Sequence, residues 1–69
     1  MAGTGDMLQG RWTQLRGQVK EWWGQLTDDD LDQIAGRKDQ LIGKLQAKYG
    51  YTKEQAEREV DERLGRWAA

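Results

Sequence analysis

The chain has 69 residues, which is enough for one domain and no more, and a chain this short buries only a modest fraction of its surface. It has no cysteine and no histidine, which excludes disulfides, finger-type zinc sites and imidazole acid–base chemistry. The 11 basic and 12 acidic residues give a formal charge of -1 spread along the whole chain, without the basic surplus of a dedicated nucleic-acid binder.

Residues 1–6 lack a basic stretch and an apolar core, so they do not read as a secretory signal. The first helix is predicted over residues 7–23. Leu8, Trp12, Leu15, Val19, Trp22 and Leu26 recur in alternating steps of four and three, the spacing of one helix face. Asp6 is the expected N-cap, with Gln9 at the capping-box position, and Gly24 suits the left-handed residue that closes a helix. Trp23 falls off the apolar stripe and is expected to be half-buried.

Thr27 reads as the next N-cap. Asp28, Asp29 and Asp30 then occupy the first turn, where carboxylates favour the positive end of the helix dipole. Leu26 and Leu31 fit a hydrophobic staple, and this helix runs to about Ala35. Gly36 either breaks the helix or is tolerated within it. The break is favoured, because an internal repeat places Gly36 near a helix start. The third helix is predicted over residues 37–48, with Leu41, Ile42, Leu45 and Tyr49 inward and Gly50 as the stop. Thr52 caps the fourth, with Gln55 completing a capping box and Ala56, Val60, Leu64 and Trp67 forming its stripe. Glu54–Arg58, Glu59–Arg63 and Glu62–Arg66 stand at i,i+4 in the favourable order, each worth about 0.2–0.5 kcal/mol.

The repeat has an offset of 26 residues: Gly10-Arg11-x-x-Gln14-Leu15-x-Gly17 falls on Gly36-Arg37-x-x-Gln40-Leu41-x-Gly43. Leu8 then meets Ile34, Val19 meets Leu45, Trp23 meets Tyr49 and Gly24 meets Gly50. A repeat that contains both a helix start and a helix stop implies one supersecondary unit used twice.

Two motif-like segments fail on chemistry. Asp28, Asp30, Asp32 and Asp39 sit at positions 1, 3, 5 and 12 of a calcium loop, but the obligatory glycine position is Gln33, and helix capping accounts for the whole run. Gly36, Gly43 and Lys44 lack both the spacing of a phosphate loop and the hydroxyl residue after the lysine. Serine is absent, and the carboxylates belong to caps and salt pairs, so no catalytic, cofactor-binding or metal-binding residue is expected. The four tryptophans, near Arg11, Arg16 and Lys20, could stack on single-stranded nucleic acid. Trp12 and Trp22, however, belong to the core stripe, and the charge balance disfavours that partner.

The glycines recur every seven residues at Gly3, Gly10, Gly17 and Gly24, and again at Gly36, Gly43 and Gly50. Gly17 lies opposite Leu15 and Val19, at up to about 1 kcal/mol relative to alanine. Three readings stand: helix stops plus an inherited repeat, a smooth face for another helix, or helices that form conditionally.

The blocks Lys20-Glu21-Trp22-Trp23-Gly24-Gln25-Leu26-Thr27-Asp28-Asp29-Asp30-Leu31, Asp39-Gln40-Leu41-Ile42-Gly43-Lys44-Leu45-Gln46 and Tyr49-Gly50-Tyr51 resemble the signature of the CsbD-like family, as does Lys53-Glu54-Gln55-Ala56-Glu57-x-Glu59-Val60. The resemblance covers residues 8–60 and is weaker at both ends. It implies a bacterial, cytoplasmic, general stress-response protein without an established activity. It also implies two roughly orthogonal helical hairpins, similar to a SAM-domain-like bundle.

The expectation is therefore an all-α single domain over residues 1–69, of about four helices, with residues 1–5 and 68–69 flexible. It is read as a non-enzymatic stress-response protein, protective under osmotic or drying stress. A small protein-interaction module is the alternative, and weak nucleic-acid binding ranks below it. The candidate interaction surface is Gly10, Gly17, Trp23, Gly43 and Trp67. No cofactor is expected. The sequence leaves the partner unknown, with a protein as one option; nucleic acid is disfavoured, and no membrane is expected, since no segment approaches the roughly 18 apolar residues a span needs.

Overall fold

The computed structural model describes residues 3–68, apart from the side chain of Thr4; Met1, Ala2 and Ala69, part of the expected flexible ends, lie outside the described residues. Among the described residues five helices follow in order: α1 Thr4–Gly10, α2 Trp12–Trp22, α3 Asp28–Ile34, α4 Lys38–Tyr49 and α5 Lys53–Ala68. No strand occurs among the described residues, so the all-α class holds. The helix number rises from four to five because the helix predicted over residues 7–23 is divided.

The division falls at Arg11, whose backbone (φ -119°, ψ 25°) leaves the helical region. The N–H groups of Gln14 and Leu15 both donate to the Arg11 carbonyl, at 3.0 and 2.8 Å, and start α2 afresh. Gly10 precedes the break, and glycine is a poor helix former. The expected cap at Asp6 is not used: α1 starts at Thr4 behind Gly3, and Asp6 stands in the first turn.

The end of α2 also departs from expectation. Trp23 leaves the helix with φ -128° and ψ 83°, and Leu26 N–H donates to the Trp23 carbonyl at 3.0 Å. A reverse turn thus ends the helix, and Gly24 is not left-handed. Because Trp23 no longer follows the helical 100° step, its side chain turns inward and is 2% exposed. Trp12 and Trp22, assigned by periodicity to the core stripe, are only half-buried and pack against its edge.

The remaining boundaries follow the sequence closely. Thr27 Oγ1 accepts from Asp30 N–H at 3.1 Å, and the Asp30 carboxylate accepts from Thr27 N–H at 2.9 Å, closing a capping box. The same reciprocal pair joins Thr52 and Gln55 at the start of α5. Gly50 ends α4 in the left-handed region, at φ 70°. Between α3 and α4 the chain does break, through two successive left-handed residues, Ala35 at φ 47° and Gly36 at φ 82°. Ala35 bears strain that glycine would not, so Ala35→Gly is expected to stabilise the domain by about 0.5–1 kcal/mol in chemical denaturation. A loss of stability would show that the turn has no such strain.

Packing joins α4 to α3 and α5, and α1 to α2, α4 and α5. Leu8, Leu15, Val19 and Trp23 pack with Leu31, Ile34, Leu41 and Leu45, and α5 contributes Ala56, Val60 and Leu64. Residues paired by the 26-residue offset are buried alike: Leu8 with Ile34, Leu15 with Leu41, Val19 with Leu45. Of the glycines paired by that offset, Gly17 and Gly43 are alike, exposed within helices, and the other two pairs differ. Gly36 and Gly50 are left-handed while Gly10 and Gly24 are not.

Candidate functional site

The acidic run is engaged in joining helices. Asp32 accepts from Arg16 at 2.6 Å and Asp28 from Lys20 at 2.7 Å, tying α3 to α2. Asp30, 6% exposed, takes Lys48 at 2.8 Å and Lys44 at 3.2 Å, tying α3 to α4. Among the described residues no group of three or more carboxylates is placed to hold a metal ion. The capping role was legible in the sequence. The interhelical pairs were not, because their partners lie far along the chain and no local spacing announces them.

These contacts shift acidity. The Lys48 ammonium, then the Thr27 N–H, hold the Asp30 carboxyl well below its ordinary value of 3.8, and Lys20 lowers Asp28 in the same direction. A carboxyl lowered in the folded state stabilises the fold above its ordinary pKa and loses that contribution as pH falls through the folded value. Stability is therefore expected to be flat near neutrality and to decline as pH drops below about 4. Denaturation at a series of pH values measures this, and Asp30→Asn should flatten the acid limb. An unchanged limb in that variant would assign the acid response elsewhere.

Of the five residues expected at an interaction surface, four are exposed or partly exposed. Gly10, Gly17 and Gly43 are exposed, and a Cβ added at any of them would meet nothing within 4 Å. Trp67 is half-buried, with the Arg11 guanidinium 5.8 Å from its ring centre. Trp23 is the exception and is withdrawn from the surface: it lies in the core, edge-on to Trp22 at 5.8 Å and beneath the Arg63 guanidinium at 5.1 Å. Because no neighbour needs the space at Gly17 or Gly43, replacing either by alanine is expected to stabilise the helix by about 0.5–1 kcal/mol, read as a raised Tm. A destabilised Gly17→Ala would reveal a constraint that the open surface does not contain.

Trp67 and Trp22 both line a cleft of about 600 Å³ between α2 and α5. Gly17 and Gly43 do not line it. The α5 wall carries Glu59, Glu62, Arg63 and Arg66, residues on one helical stripe. Of the three i,i+4 pairs read from the sequence, Glu59–Arg63 forms among the described residues, at 2.9 Å. The i,i+4 spacing of these charges was legible in the sequence; their apposition to Trp22 depends on how α2 and α5 are placed.

Residues 6–58 match the CsbD-like family. The chain belongs to this family. Its relatives include the UPF0337 protein YjbJ of Escherichia coli O6:H1, 59% identical over 56 residues and 81% of each chain. YjbJ of Salmonella typhimurium is 56% identical over 55 residues, 80% of this chain and 79% of its own. A UPF0337 protein of Protochlamydia amoebophila is 56% identical over 54 residues, 78% of this chain and 82% of its own. None of these names states an activity. No solved structure matches the chain. The CsbD-like match ends at residue 58, so the α5 wall of the cleft lies beyond it. No described helix of this CsbD-like chain is long and apolar enough to cross a membrane.

Proposed function

We propose that the chain is a non-enzymatic general stress-response protein that acts through its surface, protecting other macromolecules under osmotic or drying stress. The carrying observation is where its charge and its glycines lie. Asp28, Asp30 and Asp32 are held in ion pairs, while Gly17 and Gly43 leave helix backbone open to solvent at positions where nothing requires glycine. The mean hydropathy of -1.02 supports the same reading. A cytoplasmic setting belongs to this proposal. So do an arrangement of two helical hairpins resembling a SAM domain and an origin of the 26-residue repeat by duplication. Residues 1–69 are proposed to form one such domain.

The test is a deletion strain compared with its parent under salt, heat and desiccation. Reduced survival, restored by the intact gene, supports the proposal; equal survival in all three conditions overturns it.

A protein-interaction module is the second reading, favoured by the bare backbone at Gly10, Gly17 and Gly43 and by the partly open Trp67. A pull-down from stressed cells that returns no saturable partner would remove it.

A further inference from the structure

The cleft between α2 and α5 is a volume of about 600 Å³, within the range of small-molecule sites. Two indoles line it. Trp22 is the last residue of α2, and Trp67 stands in the last turn of α5. The final carbonyls of a helix carry the negative end of the dipole, so the end of α2 at Trp22 presents partial negative charge near this cleft. The electron-rich ring faces add to that.

The side-chain charges fall into two sets. Arg63 is engaged: it donates to Glu59 at 2.9 Å and lies over the buried Trp23 ring at 5.1 Å. Glu62 and Arg66 form no ion pair within 4.0 Å among the described residues. These two free charges cancel, and the Arg11 guanidinium already covers the Trp67 ring at 5.8 Å, which leaves the Trp22 ring and the Glu62 carboxylate as the groups open to a cation. Indole faces in this fold already take cations, since Trp67 carries Arg11 and Trp23 carries Arg63. Trp22 carries none among the described residues.

We propose that this cleft binds a small organic cation of the quaternary ammonium class, against the face of Trp22 and the carboxylate of Glu62. Arg66, one helical turn beyond Glu62, then acts as an internal competitor for that carboxylate. An anionic ligand would invert the role of Arg66 and make it the main binding group.

The experiment is a titration of the intact chain with choline chloride, followed by tryptophan fluorescence, against potassium chloride at matched ionic strength. Saturable quenching by choline alone is expected. Glu62→Gln and Trp22→Phe should each weaken binding, the latter by about tenfold. Arg66→Gln should tighten it. Trp12→Phe, outside the cleft, should leave affinity unchanged. Thermal melts of each variant establish that it is folded, and the exposed Glu62→Gln change keeps the test available if Trp22→Phe unfolds the chain. No saturable response to choline overturns the proposal, as does an equal response to potassium. Weaker choline binding by Arg66→Gln overturns the proposal, as does saturable binding of AMP that Arg66→Gln abolishes, which assigns the cleft to an anion instead.

Discussion

Replacing Gly36 with alanine is expected to destabilise the domain by roughly 2–4 kcal/mol, from two separable causes. Gly36 holds φ 82°, a conformation that a side chain makes costly. A Cβ there would also stand 3.0 Å from the Gln9 Cα, 3.1 Å from the Trp12 Cβ and 3.3 Å from the Leu8 carbonyl oxygen. Two of these atoms are backbone, so no rotamer change can clear them. The bend at Arg11 and the turn at Gly36 therefore fit each other: the α1–α2 junction packs directly on the α3–α4 turn. Gly50→Ala provides the contrast. Gly50 is left-handed at φ 70° but has nothing within 4 Å of an added Cβ, so only strain applies, about 1–2 kcal/mol. Urea denaturation of both variants measures the difference. Equal losses would show that the close approach at Gly36 contributes nothing.

Trp23→Ala is expected to cost about 3–5 kcal/mol, the range for deleting a large buried aromatic. For a domain of this size, total stability is on the order of 3–10 kcal/mol, so the variant should be largely unfolded or close to it. The indole is 2% exposed and contacts Trp22 edge-on, with Arg63 above it. Its Nε1 is buried without a hydrogen-bond partner among the described residues. A buried unpaired donor is itself unfavourable, by about 1–3 kcal/mol. Trp23→Phe removes that donor while keeping an aromatic ring under Arg63, so it should cost no more than about 1 kcal/mol. Far-ultraviolet circular dichroism against urea distinguishes the cases. A mild Trp23→Ala would mean that the ring lies at the surface, as its position in the helical pattern suggests. A severe Trp23→Phe would mean that Nε1 has a partner in solution.

The contrast between Trp22 and Trp23 shows where sequence reasoning reaches its limit. Periodicity assigned Trp22 to the core and Trp23 to its margin, which is correct only while the helix continues. The chain leaves the helix after Trp22, and the two side chains exchange roles. A similar failure occurred at Arg11, where a stripe compatible with one helix is carried by two. In each case the aliphatic core residues were identified correctly, and the backbone path between them and the burial of the tryptophans were not. Where a residue's own chemistry specifies local geometry, the sequence was sufficient: Thr27 and Thr52 cap the helices expected of them, and Gly50 stops α4.

The sequence by itself determined the all-α class, the helix boundaries from Thr27 to Thr52, the aliphatic core positions and the absence of histidine and cysteine chemistry, because these depend on residue type and on spacing within about four positions. Tertiary structure alone decided the remainder. It placed Lys44 and Lys48 on Asp30, laid α1 across Gly36, turned Trp23 inward and set Trp22 opposite the α5 stripe. Each of these contacts joins residues distant in the chain. Their partners are fixed by how the helices pack, and no local pattern of side chains encodes that.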